Sequence, residues 1–355
     1  MKTAVQYLAF DVHQATCTAV VRDQTGRIRI RAVVETNARA ILDFVGGLRG
    51  EVWVAFEEGT QAQWLYDLLS PHVKKVVVCD VRHARAKLAN KSDQIDADWL
   101  SEMLRLGSLR AVFHERQDMM TLKELVRNYT AFVDDSVRVM LRLKAIFRGR
   151  AILARGRGVW NPKRREEWLS QIANPGAQFR ASQLYNELEI LQVLRKEAKD
   201  KALGEARRYK AGKLLQSFPY VGPVRAAEIM AIIRSPFRFR TKHQLWPYIG
   251  LAVVTRSTSD HEVVDGEIRR KRRRPMTRGL NQNCNHTLKK VFKSIANEMT
   301  RGQGAFRVFY DSLLSRGIKP DLAKLTLARK ISACMLAAWK KGVAYDPTKL
   351  TPHSA

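Results

Sequence analysis

Residues Val5–Val34 read VQYLAFDVHQATCTAVVRDQTGRIRIRAVV, and this stretch decides the fold of the first third of the chain. It contains three runs that are rich in β-branched and aromatic residues, which favour strands: Val5–Val12, Thr16–Val21 and Ile28–Val34. Polar segments such as Asp23–Gly26 separate the runs. The stretch therefore predicts three antiparallel strands joined as hairpins.

The segments that follow alternate between helix and strand. The predicted elements are, in order, a helix at Arg39–Leu48, a strand at Val52–Glu57, a helix at Gln61–Leu69, a strand at Lys75–Asp80, and helices at Arg82–Leu88 and Asp93–Leu106. The strand at Lys75–Asp80 is nearly all apolar, which is typical of a buried parallel strand. Three antiparallel strands followed by this alternation are the element order of an RNase H-like mixed sheet.

Acidic residues lie where this order brings strand ends together. Asp11 ends the first strand and Glu57 ends the fourth, while a spacing of three places Asp93 and Asp96 on one face of a helix near its first turn. Carboxylate oxygens suit Mg²⁺, and two such ions can clamp the attacking and leaving oxygens of a phosphodiester. A structural alternative for Asp11 is an ordinary residue at a strand end or turn. Asp93 and Asp96 could instead stabilise the N-terminus of their helix electrostatically. Glu58 is an alternative to Glu57 as the ligand.

The charge of the chain is large and unevenly distributed. The 355 residues include 63 Lys and Arg against 34 Asp and Glu, a net charge of +29. Residues 1–115 hold 15 Lys and Arg against 14 Asp and Glu, a net charge of +1, so residues 116–355 carry the remaining +28. An excess of this size predicts a polyanionic partner and favours nucleic acid.

Several classes of protein are excluded by composition. The sequence has no run of 18 or more apolar residues, which excludes a membrane-spanning helix, and we expect no secretion signal and no membrane partner. Its four cysteines, which lie far apart without CxxC spacing, are Cys17, Cys79, Cys284 and Cys334. This usage argues against a zinc knuckle or a disulfide framework and suits a reducing cytosol.

Two long helices are predicted in the middle of the chain. In Thr121–Phe147 the apolar positions recur in alternating steps of three and four, the spacing of a coiled-coil seam, and Ala181–Leu203 has a weaker version of this pattern. Between them, Trp160–Gly176 contains the cluster Lys163–Arg165 and is predicted to be a loop or hairpin tip. The pair of helices predicts either a dimerisation or spacer arm, or two helices packed within one bundle.

The last third combines a phosphate-binding pattern with a hydroxyl cluster. Leu214–Ile233, whose turn includes Gly222, has a helix-hairpin-helix signature, in which backbone N–H groups at a helix start can hold a phosphate. Ser257, Thr258 and Ser259 are candidate nucleophiles for phosphoryl transfer, with an ordinary turn as the alternative.

The same region contains the densest cationic run of the chain, which predicts a phosphate-contact surface. The predicted nucleic-acid contacts are Gly222, Arg256, Arg269, Arg270, Lys271, Arg272, Arg273, Arg274 and Arg278. Leu288–Trp339 is predicted to be helical, with breaks near Gly302 and Gly317, and Phe306, Tyr310 and Trp339 are predicted core residues.

These segments together resemble a known family. The matching pieces are, in chain order, Leu8–Asp11, Phe56–Thr60, Lys91–Ala97, Phe218–Pro223, Tyr248–Leu251 and Thr277–Asn281. They resemble the insertion-sequence transposases that have an N-terminal RuvC-like Asp-Glu-Asp-Asp domain and a C-terminal serine-bearing transposase domain. The order and spacing of the pieces cover nearly the whole chain.

The resemblance implies a prokaryotic, nucleoid-associated, cytoplasmic recombinase. It would act on donor and target DNA and be guided by a structured non-coding RNA. The four acids Asp11, Glu57, Asp93 and Asp96 would bind Mg²⁺ beside the scissile phosphate, and a serine would form a covalent 5′-phosphoserine intermediate. The coiled coil would join protomers into a dimer or tetramer.

The sequence departs from the family pattern at the serine. Relatives commonly have a serine eight residues after the Gly of the Gly-Leu pair, here Gly250, and that position is Thr258. The nucleophile stays open among Thr258 and its neighbours Ser257 and Ser259, with Ser259 favoured because it precedes Asp260. Two other functions compete with the recombinase: a Mg²⁺-dependent RuvC-like structure-specific nuclease that uses water, and a non-enzymatic nucleic-acid scaffold.

The predicted architecture is α/β plus all-α. It consists of an RNase H-like or RuvC-like catalytic domain at residues 1–115, a coiled-coil arm at residues 116–210, and a helical transposase domain with a helix-hairpin-helix at residues 211–355.

Overall fold

The computed structural model describes residues 4–80, 93–114, 119–256, 261–264, 267–270 and 276–350. The chain divides into two compact units, Met1–Asp118 and Met119–Ala355. The helix predicted at Arg82–Leu88 lies outside the described residues.

The first unit is built on a five-stranded mixed sheet. Its strands are β1 (Val5–Val12), β2 (Thr16–Arg22), β3 (Ile28–Glu35), β4 (Glu51–Glu57) and β5 (Lys75–Cys79). Their order across the sheet is β3-β2-β1-β4-β5. β1 is antiparallel to β2 and parallel to β4, and β4 is parallel to β5. This is the strand arrangement of the RNase H-like fold that the sequence predicts.

Helices cover both faces of this sheet. They are α1 (Ala38–Gly46), α2 (Ala62–Leu69) and α3 (Asp93–Arg105). Side chains alternate between the two faces of a strand, so Leu8 and Phe10 of β1 pack in a core with α1 and α2. Ala9 and Ala55 face α3, where they pack with Leu100, and their small side chains allow α3 to approach the sheet closely.

The second unit begins with a long helical hairpin. Its helices are α4 (Met120–Arg148), α5 (Arg165–Leu169) and α6 (Pro175–Ala206). α4 and α6 are antiparallel, because residues near the end of α4, such as Leu143, share a core with residues near the start of α6, such as Ala181. The predicted seam of α4 therefore packs against α6 of the same chain. A coiled coil between protomers stays a prediction.

The start of α6 differs from the sequence prediction. The helix begins at Pro175 and not at Ala181, because the side chain of Asn174 accepts a hydrogen bond from the backbone N–H of Ala177 and proline suits the first helical position. The segment Trp160–Gly176, predicted to be a loop, also contains α5 and two short 3₁₀ turns.

The remaining helices form the body of the second unit. They are α7 (Lys210–Gln216), α8 (Pro223–Ile233), α9 (Lys242–Tyr248), α10 (His286–Met299), α11 (Ala305–Ser315) and α12 (Pro320–Lys341). The breaks in the last region lie where glycines are found, as predicted, and the core roles of Phe306, Tyr310 and Trp339 are confirmed by their burial. In the parts of the chain that the structure describes, no helix combines the length and apolarity needed to cross a bilayer.

The sequence predicts a helical domain at residues 211–355, and this prediction is wrong in part, because the region also contains strands. It contains the strands β6 (Val253–Arg256), β7 (His261–Val264), β8 (Glu267–Arg270) and β9 (Met276–Leu280). β6 pairs with β9 and β7 pairs with β8, both antiparallel. The dipeptide Asp265-Gly266 between β7 and β8 is a hairpin signal in the sequence that the helical prediction missed.

Candidate active site

Asp11 and Glu57 lie side by side at the carboxyl end of the parallel pair β1–β4. Phe10 is in register with Phe56, so the next residue on each strand carries its carboxylate to the same level and, by alternation, to the same face of the sheet. Both acids are half-buried and border a cavity of about 190 Å³, which Glu58 also lines. Two carboxylates of the predicted set therefore meet at one edge of the sheet.

The first turn of α3 points toward the same edge. Arg22, which pairs with the start of β1, donates a 2.8 Å hydrogen bond to the hydroxyl of Ser101 in the second half of α3. From Ser101 the helix extends back about 8 Å to Asp96 and about 12 Å to Asp93, and β1 extends about 13 Å from Tyr7, the partner of Arg22, to Asp11. Asp96 is half-buried, and the side chain of Asp93 lies outside the described residues.

Glu58 is engaged by a histidine that is distant in sequence. Nε2 of His114 lies 2.6 Å from Oε2 of Glu58, and Nδ1 lies 3.1 Å from Oε1 of Gln63. The imidazole side chain is 7% exposed, and its ring packs against Tyr66 with centroids 5.5 Å apart. These contacts hold Glu58 toward His114, and the choice between Glu57 and Glu58 as a metal ligand stays a prediction.

Two further polar residues at this edge of the sheet, His13 and Asp80, were not predicted from the sequence. Nε2 of His13 lies 3.3 Å from Oδ2 of Asp11, and no sequence signal marks this histidine. Asp80 directly follows β5, whose last residue, Cys79, is in register with Glu57. The strand-end position that identified Asp11 would also have identified Asp80.

The thiol of Cys79 is buried at this edge. Burial, together with the negative charges of Glu57 and Asp80, raises its pKa to about 12. A thiol with this pKa is protonated at neutral pH.

The acids suit Mg²⁺ without forming a complete cage. Among the side chains that the structure describes, no group of three or more His, Cys, Asp or Glu is arranged to hold a metal ion. Mg²⁺ commonly takes one or two protein carboxylates and fills its remaining positions with water and substrate phosphate oxygens. Asp11 and Glu57 fit that requirement, and ligand roles for all four acids, Asp11, Glu57, Asp93 and Asp96, stay predictions.

In the second unit, the β strands connect two predicted site regions. β6 and β9 form one two-stranded ribbon, and β7 and β8 form another. One connection joins β6 to β7, and a second joins β8 to β9. Arg256 at the end of β6 pairs with Met276 at the start of β9, and His261 at the start of β7 pairs with Arg270 at the end of β8. Residues 257–259 and 271–274 therefore belong to the two connections between the same pair of ribbons.

Several predicted site residues fall on these connections. Those outside the described residues are Ser257, Ser259, Lys271, Arg272, Arg273 and Arg274. Arg256, Arg270 and Arg278 lie in strands, with their side chains outside the described residues. The guanidinium of Arg269 is exposed and forms a 3.0 Å ion pair with Glu267.

The base of the β6–β9 ribbon is held by close packing around Gly250. This residue has a φ of +66°, and a Cβ there would lie 2.5 Å from Sγ of Cys284. The side-chain amide of Asn281 donates to the carbonyl of Pro247 at 3.1 Å, and its backbone N–H donates to the carbonyl of Ala252 at 3.0 Å. Asn281 thus contacts the residues on both sides of Tyr248–Leu251, and these contacts anchor the ribbon.

Gly222 is the residue that precedes α8, and Pro223 occupies the first position of that helix. The preceding turn is held by Arg225, which donates to the carbonyl of Tyr220 at 2.6 Å and to the hydroxyl of Ser294 at 2.7 Å. α7 and α8 thus form a braced helical hairpin. Phosphate binding at its turn stays a prediction.

An RNase H-like sheet with carboxylates at the ends of adjacent parallel strands places the chain among proteins built for phosphodiester chemistry. Residues 8–150 match a transposase family model of the DEDD type from IS110, and residues 212–307 match the model described as transposase IS116/IS110/IS902 family. Together the two matches cover more than half of the chain, which belongs to the IS110 family of transposases. It is an enzyme that acts on DNA as a transposase or recombinase. No individually curated protein matches it.

Proposed function

We propose that this transposase cuts and rejoins DNA by combining a Mg²⁺ site with a serine nucleophile. The metal ligands are Asp11, Glu57, Asp93 and Asp96, and the nucleophile lies within residues 257–259. The observation that carries the proposal is the pairing of Asp11 and Glu57 on adjacent parallel strands beside one cavity. Such a pair leaves room for the phosphate oxygens of the substrate.

The serine hydroxyl opens the phosphodiester by transesterification. Its oxygen forms a bond to phosphorus while the bond from phosphorus to the 3′ oxygen breaks, and the hydroxyl proton passes to the departing 3′ oxygen. The product is a 5′-phosphoserine ester and a free 3′ hydroxyl. Bound Mg²⁺ supplies polarisation of the phosphate and neutralises developing charge. Because the ester retains the phosphodiester linkage, a second 3′ hydroxyl can displace the serine and rejoin the strands.

The connectivity of the β ribbons supports a shared role for the serines and the basic run. A serine hydroxyl is a weak nucleophile until the phosphate is activated or its proton is removed. Residues 271–274 are all cationic and connect the same two ribbons as residues 257–259. We infer that guanidinium groups of residues 271–274 offset the negative charge of a phosphate that a serine of residues 257–259 attacks.

The net charge supports more than one nucleic-acid partner. Residues 116–355 carry a net charge of +28, which exceeds what one short duplex site requires. We infer that the protein holds a structured guide RNA as well as donor and target DNA, and that it works as a dimer or tetramer. Removal of copurified RNA should abolish strand exchange; unaltered exchange would contradict guidance.

Substitution of the acids tests the metal site. Asp11→Asn and Glu57→Gln should each lower DNA cleavage by about 100-fold or more, because each removes a carboxylate beside the phosphate. Glu58→Gln is the matched control, since Glu58 is held by His114, and should lower cleavage by less than about 10-fold. Cleavage by Asp11→Asn at the wild-type rate would refute the site.

The covalent intermediate separates the recombinase from a hydrolytic nuclease. The wild-type protein should form a denaturation-resistant adduct with labelled DNA, and one of the alanine substitutions at Ser257, Thr258 and Ser259 should abolish it. Cleavage without any adduct would identify water as the nucleophile and establish the nuclease in place of the recombinase.

A further inference from the structure

The segment that connects α4 to α5, at the distal end of the α4–α6 hairpin, is rich in cations. Residues 148–165, called the arm tip below, contain seven Arg or Lys and no Asp or Glu. We propose that the arm tip binds the phosphate backbone of a nucleic-acid duplex. This site uses none of the residues of the catalytic proposal, so it stands or falls independently of that proposal.

The arm tip is a folded structure with its own core. Val159 is fully buried and packs with Phe147 of α4 and Trp168 of α5. The hydroxyl of Tyr185 in α6 donates a 2.9 Å hydrogen bond to the carbonyl of Val159. The cations of this segment therefore project from a defined surface and not from an unstructured loop.

Three of the seven cations have structural roles. The guanidinium of Arg164 pairs with Glu167, and Arg165 lies 3.5 Å from the carboxylate of Glu189. Arg150 donates a 3.0 Å hydrogen bond to a carbonyl in the last turn of α4. These contacts stabilise the tip and explain part of its positive charge without a ligand.

The other four cations have no such explanation. Arg148, Arg155, Arg157 and Lys163 are exposed, and within the described part of the chain none of them forms an ion pair or a side-chain hydrogen bond. On α6, by contrast, the exposed lysines between residues 196 and 201 alternate with Glu197 and Asp200, the pattern of an ordinary solvated helix. Unshielded cations with no acid among them favour a polyanion.

Backbone geometry holds two of these cations close together. Residues 157–164 form two consecutive tight turns, in which Trp160 N–H donates to the carbonyl of Arg157 at 3.1 Å and Arg164 N–H donates to the carbonyl of Asn161 at 2.9 Å. Asn161 between the turns is extended and the other residues rise as in a 3₁₀ helix, so the Cα atoms of Arg157 and Lys163 are separated by about 13 Å at most. That distance spans about four phosphates of one strand along a duplex axis.

Arginine is suited to this role. Its planar guanidinium can donate two parallel hydrogen bonds to one phosphate, whereas lysine acts as a point charge. Three of the four unshielded cations are arginines. Backbone contacts of this kind add affinity and fix orientation without reading sequence.

The test uses the full chain freed of copurified nucleic acid. The tip variant combines Arg155→Gln, Arg157→Gln and Lys163→Gln, and the matched control combines Lys196→Gln, Lys199→Gln and Lys201→Gln, which removes the same charge from the same hairpin. Fluorescence anisotropy measures binding to a short DNA duplex of arbitrary sequence and to an RNA duplex of the same sequence. Melting temperatures establish that both variants are folded.

The tip variant should bind at least about 10-fold more weakly than the control variant near 0.1 M salt, and the slope of log affinity against log salt should become shallower by about 3. Loss on DNA alone identifies a DNA contact, loss on RNA alone an RNA contact, and loss on both a backbone site common to the two. If the tip and control variants bind both duplexes equally, the proposal is overturned.

Lysine acetylation of the wild-type protein provides a second measurement that needs no variant. Mass spectrometry should show that a bound duplex protects Lys163 several-fold more than Lys199. Equal modification of the two lysines with and without duplex would also overturn the proposal.

Discussion

Replacement of Gly250 by alanine tests how the ribbon that leads to the serine cluster is anchored. Gly250 has a left-handed φ of +66°, and a Cβ would lie 2.5 Å from Sγ of Cys284 and 2.8 Å from Cδ of Lys289. The left-handed conformation costs alanine about 1–2 kcal/mol. Overpacking in a tight site costs about 1–3 kcal/mol more. The free energy of unfolding should therefore fall by about 2–5 kcal/mol.

The chain offers a matched control at Gly342. This glycine has a φ of +65°, and among the described residues no atom beyond its chain neighbours lies within 4 Å of where its Cβ would be. Gly342→Ala should therefore cost only the backbone contribution of about 1–2 kcal/mol. Combining Gly250→Ala with Cys284→Ala removes the sulfur atom from the overlap and should recover part of the loss, seen as a non-additive coupling between the two sites.

Urea denaturation, followed by tryptophan fluorescence, measures these differences. Gly250→Ala should also lower strand cleavage under conditions in which Gly342→Ala remains active, because the ribbon loses its anchor. If Gly250→Ala costs no more than Gly342→Ala, and Cys284→Ala shows no coupling, the close packing at Gly250 does not contribute to stability and the reasoning is refuted.

Three further predictions follow from burial and electrostatics. Leu143→Ala should lower the free energy of unfolding by about 2–5 kcal/mol, since Leu143 is fully buried, whereas Leu141→Ala on the same helix, 61% exposed, should cost less than about 0.5 kcal/mol; urea denaturation compares them. The Thr25 hydroxyl donates a hydrogen bond to the Asp23 carboxylate and lowers the pKa of that carboxyl from 3.8 to about 2. The stabilising contribution of the ionised carboxylate is therefore present above pH 3.8 and is lost as the pH falls through 2. An NMR titration of Asp23 should show this midpoint, and a higher midpoint in Thr25→Val. Cys79, with its pKa raised to about 12 by burial, should resist iodoacetamide near pH 8 until the protein unfolds, as mass spectrometry can show.

The sequence predicted the first unit well because its signals are local. The five strands of the sheet lie within one or two residues of their predicted limits, since strand periodicity and polar turns are properties of short segments. The α6 start was missed because Pro175 can end a loop or begin a helix, and the side chain of Asn174 decides between them. The strands β6 to β9 were missed because they are short, and β6 pairs with β9 across more than twenty residues.

The strand-end acids of the candidate site could be predicted from the sequence, but their neighbours from distant parts of the chain could not. Asp11 and Glu57 could be identified from their positions at strand ends, and the structure brings them together because β1 and β4 are adjacent and in register. The contact between Glu58 and His114 could not be predicted, because the two residues are 56 positions apart in sequence. The contact between His13 and Asp11 could not be predicted either, because a single histidine in a turn has no distinguishing sequence pattern.

The sequence by itself determined the class of fold, the division of charge and the family, because periodicity, composition and motif spacing are written along the chain. Only the tertiary structure decided which acids share a cavity, that residues 257–259 and 271–274 connect the same two ribbons, and that the unshielded cations of the arm tip rest on a folded core. These are contacts between residues far apart in sequence. They depend on how strands and helices pack, and no local pattern specifies that packing.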